Sequence, residues 1–594
     1  MTKNKLFIRR KALLIRRKAL LIRRKALLIR RKALLIRRKA LLIRRKALLI
    51  RRKALLNSST TRIKVLSKTQ VLLFLAIAIL SFGLRFYNLS ENPPGLYWDE
   101  AAFGYNAYSI LKTGHDEHGR FLPLFFESFG DWKLPGYFYL LVPSIKLFGL
   151  SELSVRFPSA LLGSLAPLIF FLLIKKITKN TNLALTSMFF LAISPWHIQF
   201  SRSGFESTPS LFFVVSGVYL MLLGIETKKI SILSLSFFLF VLSIYTYHAS
   251  RIFVPLLVIS IILTNLKWIK QNIKLWAFPA LIGLILLIPM IIFTLSPNGR
   301  SRAISESAFK EDDRQTARLN FDQKSKKPLR FLSGYLFNPP AYYTQVVLIG
   351  YLNHFSPTFL FINGDQIGRH SQVDMGQIYL FDAIFLFLSF SAYKKLKGDG
   401  KKIMLFWLLL APIPASFVTP TPHAQRALQM SIPLAFLSSL GAYYFFSAKK
   451  LIVIKILLAG VVIFSFAVFI HLLFVHYPKK FAADWQDGYR QMVQEVKKYQ
   501  DDYPKVYITN INNVPYIYLL LYLPYDPEKF VKENSTKGAF GKYVFIDPNY
   551  NIYNKGRVLY VAPSWQKEDG ERLSTVNDSS GRHIYSLWDI GGKN

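Results

Sequence analysis

Apolar residues in this chain come in long unbroken runs rather than the short alternations of a soluble domain. Eleven of them, at 71–86, 157–174, 183–200, 211–225, 232–247, 252–266, 276–295, 378–393, 403–418, 428–446 and 451–475, have the length and composition of membrane crossings. A further apolar stretch, 135–150, is short, interrupted by Pro143 and carries Lys146, which suits a re-entrant or interfacial helix. Lysine clusters follow every second run: Lys175/Lys176/Lys179, Lys228/Lys229, Lys267/Lys270/Lys274, those within 394–402, and Lys449/Lys450. All of them fall on the cytoplasmic side only if 135–150 does not cross. The pattern therefore predicts a polytopic α-helical membrane protein with 11 transmembrane helices, its N-terminus in the cytoplasm and its C-terminus outside. The expected location is the plasma membrane.

The pattern changes at both ends. Residues 8–56 are seven perfect copies of IRRKALL. A seven-residue period invites a coiled coil. At about 100° per residue, however, the repeat interleaves charged and apolar positions around the helix and leaves no wide apolar face. A basic cytoplasmic tail, 1–68, is the expectation, with a helix lying on anionic lipid as one reading of it. At the other end, 477–594 alternates a helix pattern (485–499) with strand-like runs at 506–509, 543–546, 557–561 and 584–588. That suggests a soluble extracytoplasmic α/β domain. The catalytic candidate region is the membrane domain between, 69–476, with outer loops at 88–150 and 296–376; within the second, 341–361 reads as a surface-lying helix.

Composition adjusts this picture only slightly. Apolar residues make up 52% of the 594, as a membrane protein requires. The net charge of +44 is concentrated in the tail: residues 1–68 hold 26 Lys/Arg and no acid, leaving +18 for the rest. Basic character alone gives nonspecific attraction, so no specific nucleic-acid partner is expected. The absence of cysteine excludes disulfides, thiol nucleophiles and cysteine zinc sites.

The topology gathers chemistry on the outer face. Directly after the first crossing stands Trp98-Asp99-Glu100 in an aromatic setting; two adjacent acids there are either a helix N-cap or a site. Asp131, Lys133, Arg156, Arg202, Glu206, His248, Arg251, His423 and Arg426 fall on the same face, where the positive-inside rule does not account for them. Acids flanked by Lys, Arg and His suit an anionic lipid substrate. Glycosyl transfer from a polyprenyl-phosphate sugar would use a carboxylate as base and cations for the departing phosphate. Asp99 and Glu100 are the candidates for the first role. Lys133, Arg156, Arg202 and Arg251 are those for donor-phosphate binding, and Asp131, Glu206, His248, His423 and Arg426 for further substrate contacts.

Three blocks in order carry a family resemblance: WDEAAFGYNAYSILKTG at 98–114, WKLPGYFYLLVPSIKLFGLSELSVRFPSALLGSL at 132–165, and SPWHIQFSRSGFES at 194–207. The chain resembles the protein O-mannosyltransferases and lipid A aminoarabinose transferases, the GT-C-fold glycosyltransferases of family 39 and its bacterial relatives. The resemblance implies Asp99 as general base with Glu100 beside it. It also implies that Lys133 contacts the carrier phosphate and that Arg156 is the arginine of the R-x-P/F-S-A-L block. Glu206 falls one residue early for the family's acid after Ser-Arg. The lysine–proline–proline motif stands here as Lys133-Leu134-Pro135, and the acid that precedes the lysine in the aminoarabinose enzymes is Trp132. A metal site of that kind would have to use Asp131.

The expected function is transfer of a sugar from a polyprenyl-phosphate donor to an extracytoplasmic acceptor of unspecified kind, with the lipid bilayer as partner. No cofactor is required by the motifs, and a divalent cation stays open. The alternative is a polytopic transporter or lipid-carrier flippase without transferase chemistry. The topology is checked by a reporter fused after Leu150, which is expected to read extracytoplasmic; a cytoplasmic signal overturns the 11-crossing map.

Overall fold

Ala, Leu, Arg and Lys are all strong helix formers, and the IRRKALL repeat builds a single helix, Thr2–Ser59. In this computed structural model the described residues are 2–59, 66–300, 306–324, 327–398, 400–511, 514–533 and 535–591. They fall into two compact units, Met1–Thr69 and Gln70–Asn594. In the first, every side chain from 11 to 47 is exposed, the apolar ones included, because charge and apolar positions interleave around the axis. Side chains at 2–10 and 48–59 lie outside the described residues.

In the second unit each of the eleven expected crossings coincides with a helix or a broken helix pair. Among the described residues seven helices are long and apolar enough to cross a membrane, or eight if the pair Thr181–Ile193 and Pro195–Arg202, bent by 55°, counts as one crossing. Ile230–Thr246, Ser250–Thr264 and Leu380–Lys395 are 17, 15 and 16 residues long. The run at 403–418 is broken into Gly400–Leu410 and Ile413–Ser416 beside Pro412 and Pro414. These four, the bent pair and the six long helices other than Pro339–Ile362 make up the eleven. Pro339–Ile362, expected as a surface helix, itself has the length and composition of a crossing.

Helices Lys68–Phe86, Ile273–Leu295 and Ile452–Lys480 have only 22%, 17% and 6% of their apolar windows covered by protein. Water does not tolerate apolar rods of that size, so their solvent is lipid, and the chain is a multi-pass membrane protein.

The helix ends sort into two groups. At one, Lys176 and Lys179 pair with Glu226, Gln70 donates to Asn182 at 2.8 Å, and Asn180 donates to Tyr443 at 2.9 Å. At the other, segments 97–99, 205–206, 247–249, 306, 367–370 and 423–426 converge on one cavity.

The C-terminal region is a six-stranded mixed sheet with helices. Numbering the hairpin Phe126–Ser128 and Asp131–Lys133 as β1 and β2, its strands are β3 (Val506–Thr509), β4 (Ala539–Phe540), β5 (Tyr543–Ile546), β6 (Val558–Pro563), β7 (Glu571–Asn577) and β8 (His583–Ile590). Their order is β4-β5-β3-β6-β8-β7, with β3 parallel to β5 and β6 and the other pairs antiparallel. The expected strands at 506–509, 543–546, 557–561 and 584–588 are β3, β5, β6 and β8. Strand β7 has no counterpart in the sequence reading: it is an edge strand whose residues are mostly exposed and polar, so no alternation marks it.

This sheet does not stand apart from the membrane region. Leu96, Ala101, Ala102, Tyr105 and Val155 share one hydrophobic core with helices Tyr489–Tyr499 and Pro515–Tyr522 and with β3, β5 and β6. The opposite side of helix Trp98–Thr113, through Phe103, Ala107 and Ile110, packs on Tyr137, Phe138, Leu141 and Ile145 of helix Pro135–Phe148.

Close helix approach is tested at Gly441, where an added Cβ would overlap the Phe385 carbonyl oxygen of the neighbouring helix. Gly441→Ala is expected to cost about 1–3 kcal/mol of stability. Gly83→Ala, with nothing within 4 Å, should be neutral or stabilising by up to ~1 kcal/mol. Thermal unfolding in detergent reads both.

Candidate active site

Helix Trp98–Thr113 begins at the cavity, and its start is built from distant parts of the chain. Its N-cap, Tyr97, supplies no side-chain cap of its own. Instead the Trp98 amide donates to Oε1 of Gln486 at 2.9 Å, and the Tyr518 hydroxyl holds that same oxygen at 2.8 Å. The Tyr97 amide donates to Glu100 Oε2 at 3.0 Å, the reciprocal half of a capping box. Just before it, Gly95 has φ +61°, and a Cβ there would lie 2.9 Å from Asp487 Cα. Only glycine allows that approach.

Glu100 is fully buried and committed. Besides the Tyr97 amide it accepts from the Gly204 amide at 2.6 Å and from Arg156 Nε at 3.2 Å. Arg156, equally buried, spends its remaining donors on the carbonyls of Leu89 at 3.1 Å, Pro93 at 2.8 Å and Gly95. Arg202 is buried too, and donates to the carbonyls of Leu84, Asn88 and Asn92. Arg156 and Arg202, expected to bind donor phosphate, thus direct these donors to backbone carbonyls, and neither lines the cavity. These guanidiniums bind carbonyls of the irregular 84–95 connection, where the helical hydrogen-bond ladder is interrupted. Glu100 likewise belongs to the frame: with Arg156 Nη2 also donating at 3.4 Å, a carboxylate with four donors on it is a structural anchor.

Asp99 differs. Adjacent residues on a helix point about 100° apart, so an inward Glu100 turns Asp99 toward the cavity, which it lines. Its carboxylate lies 3.2 Å from Lys133 Nζ, and Asp131 lies 3.3 Å from the same nitrogen. Lys133 is held from both sides. It ends β2, in register with Phe126 of β1, whose ring stacks at 3.8 Å on Phe138. Two residues later Pro135 opens the next helix, a position where its missing N–H is harmless.

The cavity has a volume of about 190 Å³ and is lined mainly by polar groups. Of the expected residues, Asp99, Glu206, His248, His423 and Arg426 line it. Asp131 and Lys133 stand behind Asp99. Arg251, half-buried in the first turn of helix Ser250–Thr264, is not among the lining residues. Glu306, Arg369 and His370 also line it and were not expected. Glu306 pairs with Arg426. Arg369 stacks 3.6 Å from the Tyr97 ring centre and donates to the Asp484 carbonyl at 2.8 Å. The only sequence signal for the last two was an Arg-His pair within a long outer loop.

Behind one wall sits Asp365. It accepts from the Ile367 amide at 2.9 Å and the Ala424 amide at 2.6 Å, and lies 3.5 Å from His370 Nδ1. Burial works against its charge, but His370, His423 and the Ile367 N–H outweigh that and hold its pKa down at about 2. Burial pushes His370 and His423 below the usual imidazole range; for His423 the neighbouring His370 and Arg426 charges add to the effect.

The division between frame and mouth has a direct test. Glu100→Gln leaves the Arg156 charge buried without its counterion, so a loss of about 3–5 kcal/mol in stability is expected. Asp99→Asn should leave the melting temperature within a degree or two, as a partly exposed pair contributes ~1 kcal/mol or less. Equal melting curves for wild type and Glu100→Gln would contradict this assignment.

Comparison with known proteins agrees with this architecture. Residues 133–293 match the family described as dolichyl-phosphate-mannose-protein mannosyltransferase. An uncharacterized protein of Aquifex aeolicus (strain VF5) is 31% identical over 157 residues, 26% of this chain and 30% of that one. The match thus spans about a third of the relative's length. The crystal structure of ArnT from Cupriavidus metallidurans bound to undecaprenyl phosphate superposes with a TM-score of 0.51 at 13% identity, covering 88% of this chain and 98% of that one. Its apo state gives 0.50 at 13%, covering 87% and 97%. This chain thus has the fold of ArnT over most of its length and carries, at 133–293, a segment that matches the mannosyltransferase family.

Proposed function

We propose that this protein is an integral-membrane glycosyltransferase that moves a sugar from a polyprenyl-phosphate donor to an acceptor outside the cytoplasm. The observation that carries the reading is the Asp99–Lys133 pair at 3.2 Å, at the edge of a polar cavity built where the loops of one helix end converge. Asp99 takes the proton of the acceptor hydroxyl, whose oxygen attacks the anomeric carbon. The bond from that carbon to the phosphate oxygen breaks, and the lipid phosphate departs with the electron pair. Lys133, a point charge between two carboxylates, exchanges them for the phosphate. In this reading Arg369 and Arg426, which line the cavity, assist rather than Arg156 and Arg202.

A donor of this class also needs a place for its tail. An open apolar groove of about 880 Å³ runs between helix Pro339–Asn353 and residues 409–417. It adjoins the cavity through the 306–309 segment, where Ser307 bridges to Val418 and the Thr419 amide donates to the Glu306 carbonyl. A polyprenyl chain in that groove would stay in lipid contact while its phosphate reached toward Lys133. The protein is read as residing in the plasma membrane with the cavity on the outer side, N-terminus cytoplasmic and C-terminal region extracytoplasmic.

With purified protein and a radiolabelled polyprenyl-phosphate sugar, Asp99→Asn is expected to lower kcat by ~10²–10⁴-fold without unfolding the chain. Lys133→Ala should chiefly raise KM for the donor. Donor binding with no transfer or hydrolysis by wild type, across protein, lipid and glycan acceptors, would favour a carrier flippase instead. Unchanged kcat in Asp99→Asn removes it as base.

A further inference from the structure

We infer that Asp365, His370 and His423 form a binding site for one divalent cation of the zinc type in the wall of the cavity. One ligand atom from each lies within 4.8 Å of the others, and all three residues are buried. Tetrahedral ligands about 2.1 Å from a metal stand ~3.4 Å apart. Asp365 Oδ2 and His370 Nδ1 are already 3.5 Å apart, so a small shift of the His423 ring completes the set. Two imidazoles and one carboxylate are the donor types that zinc and its neighbours select, and three protein ligands leave a position open.

Two further observations point to a ligand. His370 Nδ1 is buried and faces only the Asp365 carboxylate, at 3.5 Å and without good hydrogen-bond geometry, although a polar atom in that setting is rarely left so poorly satisfied. The supports around the trio are already built: the Ile367 and Ala424 amides fix both oxygens of Asp365, and His354 Nε2 accepts from the His423 amide at 3.0 Å. Such outer contacts are what orients metal ligands. His370 and His423 both face the cavity, so the open position would look into it and could take water or an oxyanion. The nearby guanidiniums do not forbid a cation: Arg426 is paired with Glu306, and Asp99 and Glu206 add further negative charge to the lining.

This is not the site that the aminoarabinose-transferase motif would place beside the phosphate lysine. That one would draw its carboxylate from Asp131, whereas this one takes it from the long outer loop. The inference stands apart from the transferase reading, since metal is counted whether or not sugar moves.

The test uses the full chain, purified in detergent, stripped with chelator and reloaded with zinc or cobalt. Elemental analysis of the monodisperse gel-filtration peak is expected to give about one metal per chain. Asp365→Asn, His370→Gln and His423→Gln should each reduce this at least tenfold, and Asp131→Asn should not. Because a buried substitution can unfold the chain, wild type alone provides a second measure: zinc should raise its melting temperature, and bound cobalt should show imidazole coordination in its absorption spectrum. Wild type that takes up no stoichiometric metal, or metal lost in Asp131→Asn but kept in Asp365→Asn, overturns the proposal.

Discussion

The mouth of this protein depends on one buried ion pair. Glu100 and Arg156 sit on different helices, and both are removed from water. Burying two opposite charges is favourable only when their remaining hydrogen-bonding capacity is filled. Here it is filled by backbone from three segments: Tyr97 and Gly204 amides on the acid, and the Leu89, Pro93 and Gly95 carbonyls on the base. The pair thus fixes the irregular chain that joins the first membrane helix to helix Trp98–Thr113. Gly204 is part of the same design, since a Cβ there would come within 2.9 Å of the Glu100 carboxylate. With Glu100 locked inward, helical geometry alone turns Asp99 to the cavity.

Around that anchor the helix is gripped on two sides. One face lies in the sheet region's core and the other against Pro135–Phe148. Each large apolar side chain so buried contributes about 1.5–3 kcal/mol. The two cores together therefore hold the short helix more firmly than its own propensity could. The Lys133 hairpin is tied to the second core through Phe126, so acid and cation are set by the same packing.

How much of this was legible in the sequence varies with the kind of signal. Apolar runs announce helices, and every expected crossing has one; what the runs do not announce is where a helix breaks, as at Pro412 and Pro414. Strands β3, β5, β6 and β8 are marked by their β-branched and aromatic runs, whereas exposed β7 is not. Asp99 could be singled out because two adjacent acids after a membrane crossing are costly without a use. Arg156 and Arg202 could be singled out equally well, yet their donors go to backbone carbonyls. A sequence does not distinguish a cation satisfied by carbonyls of its own chain from one facing a ligand. Arg369, His370 and Asp365 were missed because what defines them is contact with Tyr97, Asp484 and Ala424, far away in the chain.

The Gln486 cap gives the protein an order of assembly. Membrane helices can form as they emerge, but the amide that starts the Asp99 helix is capped by a residue almost four hundred positions later. Its brace, Tyr518, comes later still. Until the last fifth of the chain has been made, the acid has no fixed direction and the cavity no finished rim. A nascent or truncated chain is therefore inserted before it is competent. The sheet region acts as the keystone of the mouth, set last.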